Sequence, residues 1–243
     1  MVSQQPTRTF PDENTLCEAC GYALRGLEPD QSCPECGRAL RDSSPQLRTG
    51  PAFANHLGLR AYLRTAAGIL LHSKKTYRTM RIDGTNKRAR LFLLISILTA
   101  ALAGVTAYAL PLPGSLAGGW ANRTDVLMGI ALAGPAILVL TYIEVLGVAW
   151  FSQKRSWRVP PHLSERLACF ASVGWLPGMV VLGVVMNLSR SGLLYELWWS
   201  IALTRDWAAE CTWATTILAG VAAMLGFESL VWLGVRQMKF ANA

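Results

Sequence analysis

The chain is poor in charged residues and in histidine, and it lacks the short motifs of common catalytic sites. Only 16% of its 243 residues are charged, against about 25% in average soluble domains. It has 3 histidines and no H-E-x-x-H motif, G-x-S-x-G elbow or phosphate-binding loop. His162 and Glu165 are the best remaining candidates for a catalytic pair. Their spacing is, however, typical of a solvated helix start. We therefore do not expect an enzyme.

A long apolar run is also missing from the first part of the chain. Residues 1–90 hold 14 of the 23 Lys and Arg, whereas residues 91–243 hold nearly all of the apolar tracts. Residues 1–16 form a polar tail with no apolar core of a secretory signal. We therefore expect this part to be cytosolic, where its cysteines stay reduced and free to bind a metal.

Four of the 6 cysteines form two short pairs, Cys17-Glu-Ala-Cys20-Gly21 and Cys33-Pro-Glu-Cys36-Gly37. A glycine after each second cysteine suits a tight turn in which backbone N–H groups point at the sulfurs. Four thiolates complete the tetrahedral coordination of zinc. The spacing predicts a zinc ribbon of β-hairpin knuckles over residues 17–40, with one structural zinc bound by Cys17, Cys20, Cys33 and Cys36.

Two other metal sites compete with this interpretation. A catalytic zinc would keep an open position and use histidine or a carboxylate, but His56, the nearest histidine, lies twenty residues beyond Cys36. A rubredoxin-like iron site also uses paired knuckles, although rubredoxins separate them by a longer loop. Cys169 and Cys211 lie in or beside apolar segments, where cysteine is most often a small packing residue.

A linker at 41–52 precedes a segment at 53–83 that is predicted to form a basic amphipathic helix. Such a helix suits an anionic membrane surface; docking on a membrane bundle is compatible with this, and nucleic acid is a less favoured partner. The apolar arc is Leu59, Tyr62, Ala66, Ile69, Leu70, Tyr77 and Met80. The opposite, basic side is Arg60, Arg64, Lys74, Lys75, Arg78 and Arg81.

The remainder, 91–238, is predicted to be an all-α transmembrane bundle. Four runs are long enough to span, at 91–110, 126–151, 167–188 and 212–235. The flanks on one side carry 20 Lys and Arg, and the other side carries 3. The positive-inside rule therefore places both termini in the cytosol, and we expect a bacterial inner-membrane protein. The apolar run at 193–203 is too short to span.

Two acids and two glycines within the spans attract attention. Glu144 and Glu228 are the only charges well inside the runs, and an intramembrane acid is a functional-site hypothesis by default. They would serve proton or cation passage, pair with a basic group, or hydrogen-bond a neighbouring helix.

Gly174 and Gly178 flank Pro177 in a small-xxx-small pattern that favours close helix packing and a kink.

The membrane half resembles the Yip family, which places a cytosolic N-terminus before a helical membrane bundle. The resemblance rests on Tyr77-Arg-Thr-Met80-Arg81, on Pro160-Pro161-His162-Leu163-Ser164-Glu165-Arg166, and on the following Ala168-Cys-Phe-Ala-Ser172 and Leu176-Pro177-Gly178. Members usually have one more span than the four predicted here. Eukaryotic members bind small GTPases and shape membranes. The N-terminal segment resembles the small zinc ribbons fused to bacterial membrane proteins.

From these patterns we expect a non-enzymatic membrane protein. Its zinc ribbon would be a cytosolic docking module for an unidentified protein partner, and its basic helix would contact anionic lipid headgroups. The alternative is a small transporter or channel that uses Glu144 and Glu228.

Overall fold

The computed structural model describes residues 15–44, 48–82, 85–110, 123–201 and 204–242. Within these ranges the chain is mostly helical and has no β-strand. The α-helices of these ranges are α1 (Ala52–Asn55), α2 (Leu59–Arg78), α3 (Lys87–Ala109), α4 (Arg123–Lys154), α5 (Pro161–Ala171), α6 (Trp175–Arg190), α7 (Leu193–Trp199) and α8 (Arg205–Gln237).

Among the described residues, four segments are long and apolar enough to cross a membrane: Lys87–Ala109, Leu127–Lys154, Pro161–Arg190 and Arg205–Gln237. Each overlaps one of the predicted runs. The shortest has 23 residues and is about 34 Å long, which exceeds a hydrocarbon core of about 30 Å. The described part of the chain therefore holds four helical segments that could each cross a membrane.

The third of these segments is not one regular helix. It joins α5 to α6 through a tight 3-10 turn at Ser172–Gly174. Pro177 follows that turn, and a proline ring clashes with the carbonyl four residues earlier, here that of Val173. The irregularity predicted around Pro177 is therefore present, and it takes the form of a tightened turn.

The chain divides into two compact units, which we describe separately. The first unit comprises residues 1–89, 144–168 and 231–243, and the second comprises residues 90–143 and 169–230. The first unit holds the cysteine pairs, α2 and the C-terminal tail. The second holds most of the apolar helical residues.

In the first unit, α2 buries part of the predicted apolar arc. Tyr62, Ala66 and Ile69 are buried, whereas the side chains of Leu59 and Leu70 are 75% and 39% exposed. The helix departs from α geometry at His72. There the Thr76 hydroxyl donates to the Gly68 carbonyl at 2.9 Å, an insertion into the hydrogen-bond ladder that is known to kink helices.

The start of α5 is tied to the segment that follows α2. The Arg166 guanidinium donates to the Arg81 carbonyl at 2.6 Å and to the Asn86 side-chain oxygen at 2.9 Å. Asn86 in turn donates to the Glu165 carboxylate and the His162 carbonyl, both at 2.8 Å. The segments at 77–81 and 160–166 therefore contact each other, and His162 and Glu165 belong to this junction.

The second unit is packed through small residues. A Cβ placed on Gly178 would lie 2.5 Å from the Ala223 Cβ, and one on Gly174 would lie 3.2 Å from the Phe227 Cα. The close approach predicted for these two glycines is confirmed. Next to them, Trp175 stacks on Phe227 with ring centroids 4.9 Å apart and donates to the Thr141 hydroxyl at 3.2 Å.

Candidate metal centre

The two cysteine pairs are built by the same backbone hydrogen bonds, sixteen residues apart. In each pair the chain reverses direction within a tight turn. Each turn is closed by one isolated antiparallel bridge, and neither forms a β-strand. The predicted β-hairpins are therefore reduced, within the described residues, to the bridges Leu16↔Ala23 and Ser32↔Ala39. The matching hydrogen bonds, donor first, are Cys17–Tyr22 and Cys33–Arg38, Gly21–Cys17 and Gly37–Cys33, Leu24–Thr15 and Leu40–Gln31.

The geometry reveals an internal sequence repeat that extends beyond the cysteines. The pattern Cys-x-x-Cys-Gly-x-Ala-Leu-Arg occurs twice, beginning at Cys17 and at Cys33. Its two leucines, Leu24 and Leu40, are fully buried and form a small core with those two cysteines. Leu40 is a core residue that the cysteine spacing alone does not predict, although the repeated Ala-Leu-Arg after each glycine is a visible signal for it.

Both knuckles depend on a glycine in the left-handed region of backbone space. Gly21 has φ +83 and Gly37 has φ +70, values at which other residues are strained. A Cβ on Gly21 would also lie 3.1 Å from the Phe240 ring. Gly21 therefore serves both the turn and a close contact with the C-terminal tail.

The four sulfurs converge on one point. Cys17 and Cys36 have their sulfurs 3.6 Å apart, and so do Cys20 and Cys33. All four ligand atoms lie within 4.8 Å of one another. A tetrahedral ion with metal–sulfur bonds of about 2.3 Å separates its ligands by about 3.8 Å. The cysteines thus fit a tetrahedral metal, and they fill all four of its positions.

Backbone donors surround these sulfurs as the glycine turns predict. Backbone N–H groups of Ala19 and Cys20 face Cys17, and those of Glu35 and Cys36 face Cys33. Burial raises the pKa of Cys17, and it raises the pKa of Cys20 to about 12. Burial acts on Cys33 too, but its backbone and thiol donors lower the pKa of that thiol to about 7. Metal binding at this cluster must displace protons.

The C-terminal tail lies against the first knuckle. The side-chain amide of Asn242 accepts a hydrogen bond from the Leu16 N–H at 2.9 Å and donates to the Leu16 carbonyl at 2.8 Å. It also donates to the Ser43 carbonyl at 2.9 Å. The Arg38 guanidinium donates to the carbonyl of Gln237, the last residue of α8, at 2.8 Å. The module at residues 15–44 is therefore fastened to the end of the last candidate span.

A buried ion pair also anchors the module. Glu18, between the first two cysteines, pairs with Arg48, and both side chains are almost completely buried. The Glu18 carboxylate also accepts a hydrogen bond from the Asn242 N–H at 3.1 Å. Burial raises the pKa of Glu18, and the Arg48 guanidinium opposes that shift. Arg48 lies in the predicted linker at 41–52, yet it helps to anchor the module.

The other predicted site residues lie elsewhere. Arg60, Arg64, Lys74, Lys75 and Arg78 are all exposed on α2. Glu144 in α4 and Glu228 in α8 are each half-buried. In the part of the chain that the structure describes, only the four cysteines form a group with the ligand types and spacing of a metal site.

Comparison with known proteins adds no family to this picture. No family model, no curated protein and no solved structure matches the chain. The resemblance to the Yip family gains no support from these comparisons.

Proposed function

We propose that this chain is a non-enzymatic membrane protein whose cysteine knuckles hold one structural zinc ion and serve as a cytosolic docking module for a protein partner. The supporting observation is the convergence of four cysteine sulfurs within 4.8 Å. With every coordination position taken by a thiolate, the metal has no open site for substrate or water. Its role is then to hold a surface in shape, because so small a core would not fold alone.

The loop between the knuckles and the second knuckle expose acidic groups. Glu28, Asp30 and Glu35 are exposed, as are the basic Arg25 and Arg41, whereas Leu24 and Leu40 are buried. A partner that reads this surface would present basic or hydrogen-bond-donating groups. Because the module is fastened to Gln237 and Asn242, a bound partner would be held close to the last span.

The orientation belongs to this proposal. The charge bias of 20 to 3 favours a cytosolic location for both ends. The contact between Asn242 and Leu16 supports a location of both ends on one side of the membrane and an even number of crossings. The four candidate spans satisfy this requirement. Reporter fusions at residues 1 and 243 should both report the cytosol, and an outside signal from either would reject the orientation.

The test of docking is affinity capture from native membranes with variants that keep the metal. Glu28→Lys combined with Asp30→Lys reverses the charge of the loop between the knuckles without touching a ligand. We expect this variant to retain zinc and to lose specific partners. The matched control, Glu196→Lys with Asp206→Lys, reverses two charges at a distance in the sequence and should retain them. Unchanged partners in the loop variant would reject docking through this surface.

The transport alternative rests on Glu144 and Glu228. Each is half-buried, whereas neighbours such as Leu146 and Leu225 are exposed. Partial burial reduces the contact of an acid with lipid and is compatible with a transport role and a structural role equally. Substitution by glutamine separates the two roles, as set out in the Discussion.

A further inference from the structure

A basic cleft lies beside the knuckle module and does not involve the cysteines. It has a volume of about 690 Å³ and is bordered by Arg41 at the end of the second repeat, by Arg48, and by the last turns of α2. From α2 it receives Lys74, Lys75 and Arg78. The volume falls in the range of small-ligand sites, about 300–1,000 Å³.

The walls of the cleft are held by hydrogen bonds. The Arg48 guanidinium donates to the carbonyls of Met80 and Asp42 at 3.0 and 3.2 Å. The Arg81 side chain donates to the Arg48 carbonyl at 3.0 Å, and the Gly50 N–H donates to the Thr79 carbonyl at 2.8 Å. These hydrogen bonds join the two sides of the cleft, which favours a preformed site.

The charges in the cleft do not balance. Five lining residues are cationic and one, Asp42, is acidic. Arg48 is neutralised by Glu18, and Asp42 lies 3.7 Å from Arg38. Within the described part of the chain, Arg41, Lys74, Lys75 and Arg78 have no ion-pair partner. Four cations around one cavity repel one another, and a multivalent anion between them would relieve that repulsion.

Helix electrostatics explain only part of this cluster. Cations near the C-terminus of α2 complement the helix dipole, which accounts for Lys75 and Arg78. It does not account for Arg41, which comes from the knuckle module and faces the same cavity. The kink at His72 also separates the cleft residues from Arg60 and Arg64, which lie on the first part of α2.

We propose that this cleft binds a phosphate group, carried either by a lipid headgroup or by a free phosphorylated compound. Arginine and lysine donors around a concave site are the groups that recognise phosphate, and a phosphomonoester brings a charge of about −1.5 to −2 at neutral pH. Only the lipid source of the phosphate requires α2 to lie at the membrane surface, as the sequence predicts. A free phosphorylated compound could bind without that position. The proposal assigns Lys74, Lys75 and Arg78 to a defined pocket, separate from the general membrane attraction of Arg60 and Arg64.

Thermal unfolding of the full chain in nanodiscs tests the cleft, because a ligand that binds only the native state raises the Tm. One arm adds inorganic pyrophosphate to phosphatidylcholine nanodiscs. The other arm includes phosphatidic acid in the bilayer without pyrophosphate. The cleft variant is Lys74→Gln with Lys75→Gln. The matched control is Arg60→Gln with Arg64→Gln, which removes the same charge from the same helix outside the cleft.

We expect the wild type to gain Tm in at least one arm. The cleft variant should bind about tenfold more weakly, the loss expected when charge-assisted hydrogen bonds are removed, and the control should bind as the wild type does. A response to pyrophosphate identifies a free compound as the source, and a response to phosphatidic acid alone identifies a lipid. No response in either arm, or an equal loss in both variants, overturns the proposal. Partner capture is measured independently, so a failure of docking leaves this result unaffected.

Discussion

Asn242 and Leu16 are 226 residues apart in the sequence, and they form a reciprocal pair of hydrogen bonds. The Asn242 side-chain oxygen accepts from the Leu16 N–H at 2.9 Å, and its nitrogen donates to the Leu16 carbonyl at 2.8 Å. Leu16 immediately precedes the first metal-ligating cysteine. The side chain of Asn242 therefore binds both backbone polar groups of Leu16 and holds the knuckle to the tail that follows α8.

Replacing Asn242 should loosen the knuckle module. Asn242→Ala removes three side-chain hydrogen bonds, to Leu16 and Ser43, and should lower the free energy of unfolding of the module by about 1–3 kcal/mol. Zinc release to a chelator should become faster. Asn55→Ala removes one exposed hydrogen bond and is the control, with an expected effect below about 0.5 kcal/mol. Equal release rates in the two variants would contradict the clamp.

Each of the four cysteines should be needed for the metal. Purified protein should contain about one zinc per chain, and serine at Cys17, Cys20, Cys33 or Cys36 should abolish stoichiometric binding by removing one of the four ligands. Metal analysis by mass spectrometry measures both. Cys211→Ser, outside the cluster, should keep its zinc. Stoichiometric iron, or a wild type without metal under reducing conditions, would contradict the assignment of zinc to this cluster.

The Glu18–Arg48 pair should show strong coupling. Arg48→Met leaves the buried Glu18 carboxylate without its cation and should cost about 3–5 kcal/mol of unfolding free energy. Adding Glu18→Gln removes the orphaned charge, so the double variant should be more stable than Arg48→Met alone. The comparison is made by chemical denaturation of Arg48→Met, of Glu18→Gln and of the double variant. Zinc release is the signal that reports unfolding. A double variant as unstable as the sum of its single changes would mean that the pair is not coupled.

Gly178 should tolerate no side chain. A Cβ there would meet Ala223, at 2.5 Å from its Cβ and 2.7 Å from its Cα, so Gly178→Ala should push the helices apart and destabilise the fold by about 1–3 kcal/mol. Gly226→Ala is the matched control, since nothing lies within 4 Å of its Cβ position and the gain in helix propensity is the same. Thermal unfolding in detergent micelles distinguishes them. Identical Tm values would count against close packing at this site.

Substituting glutamine for Glu144 and Glu228 should distinguish a structural role of these acids from a role in transport. Glu144→Gln and Glu228→Gln preserve shape and hydrogen-bonding capacity but cannot titrate. Under the docking proposal, both variants should fold, express and capture partners as the wild type does. The measurement is ion flux in reconstituted vesicles alongside partner capture. A flux that is present in the wild type and lost in either correctly folded variant would favour the transport alternative.

Local patterns in the sequence determined much of this protein. The apolar runs predicted four membrane-crossing helices because a span must satisfy its own backbone hydrogen bonds within one continuous segment. The spacing of Cys17, Cys20, Cys33 and Cys36 predicted one cluster, because a tight turn brings i and i+3 thiolates together without help from distant residues. Gly174 and Gly178 likewise carry their packing signal within one turn of helix.

Only the tertiary structure decided what these elements touch. Periodicity groups Leu59 and Leu70 with Tyr62 on one apolar arc of α2, but the part of that arc that is buried depends on the segments that pack against it, such as Phe53 against Tyr62. No local pattern encodes that packing. Arg48 had the surroundings of a linker residue, yet it became the partner of Glu18 because distant segments removed both from water. The contact between Asn242 and Leu16 has no local signature at all. Contacts of this length form only when the whole chain folds, so their energetics belong to the three-dimensional arrangement.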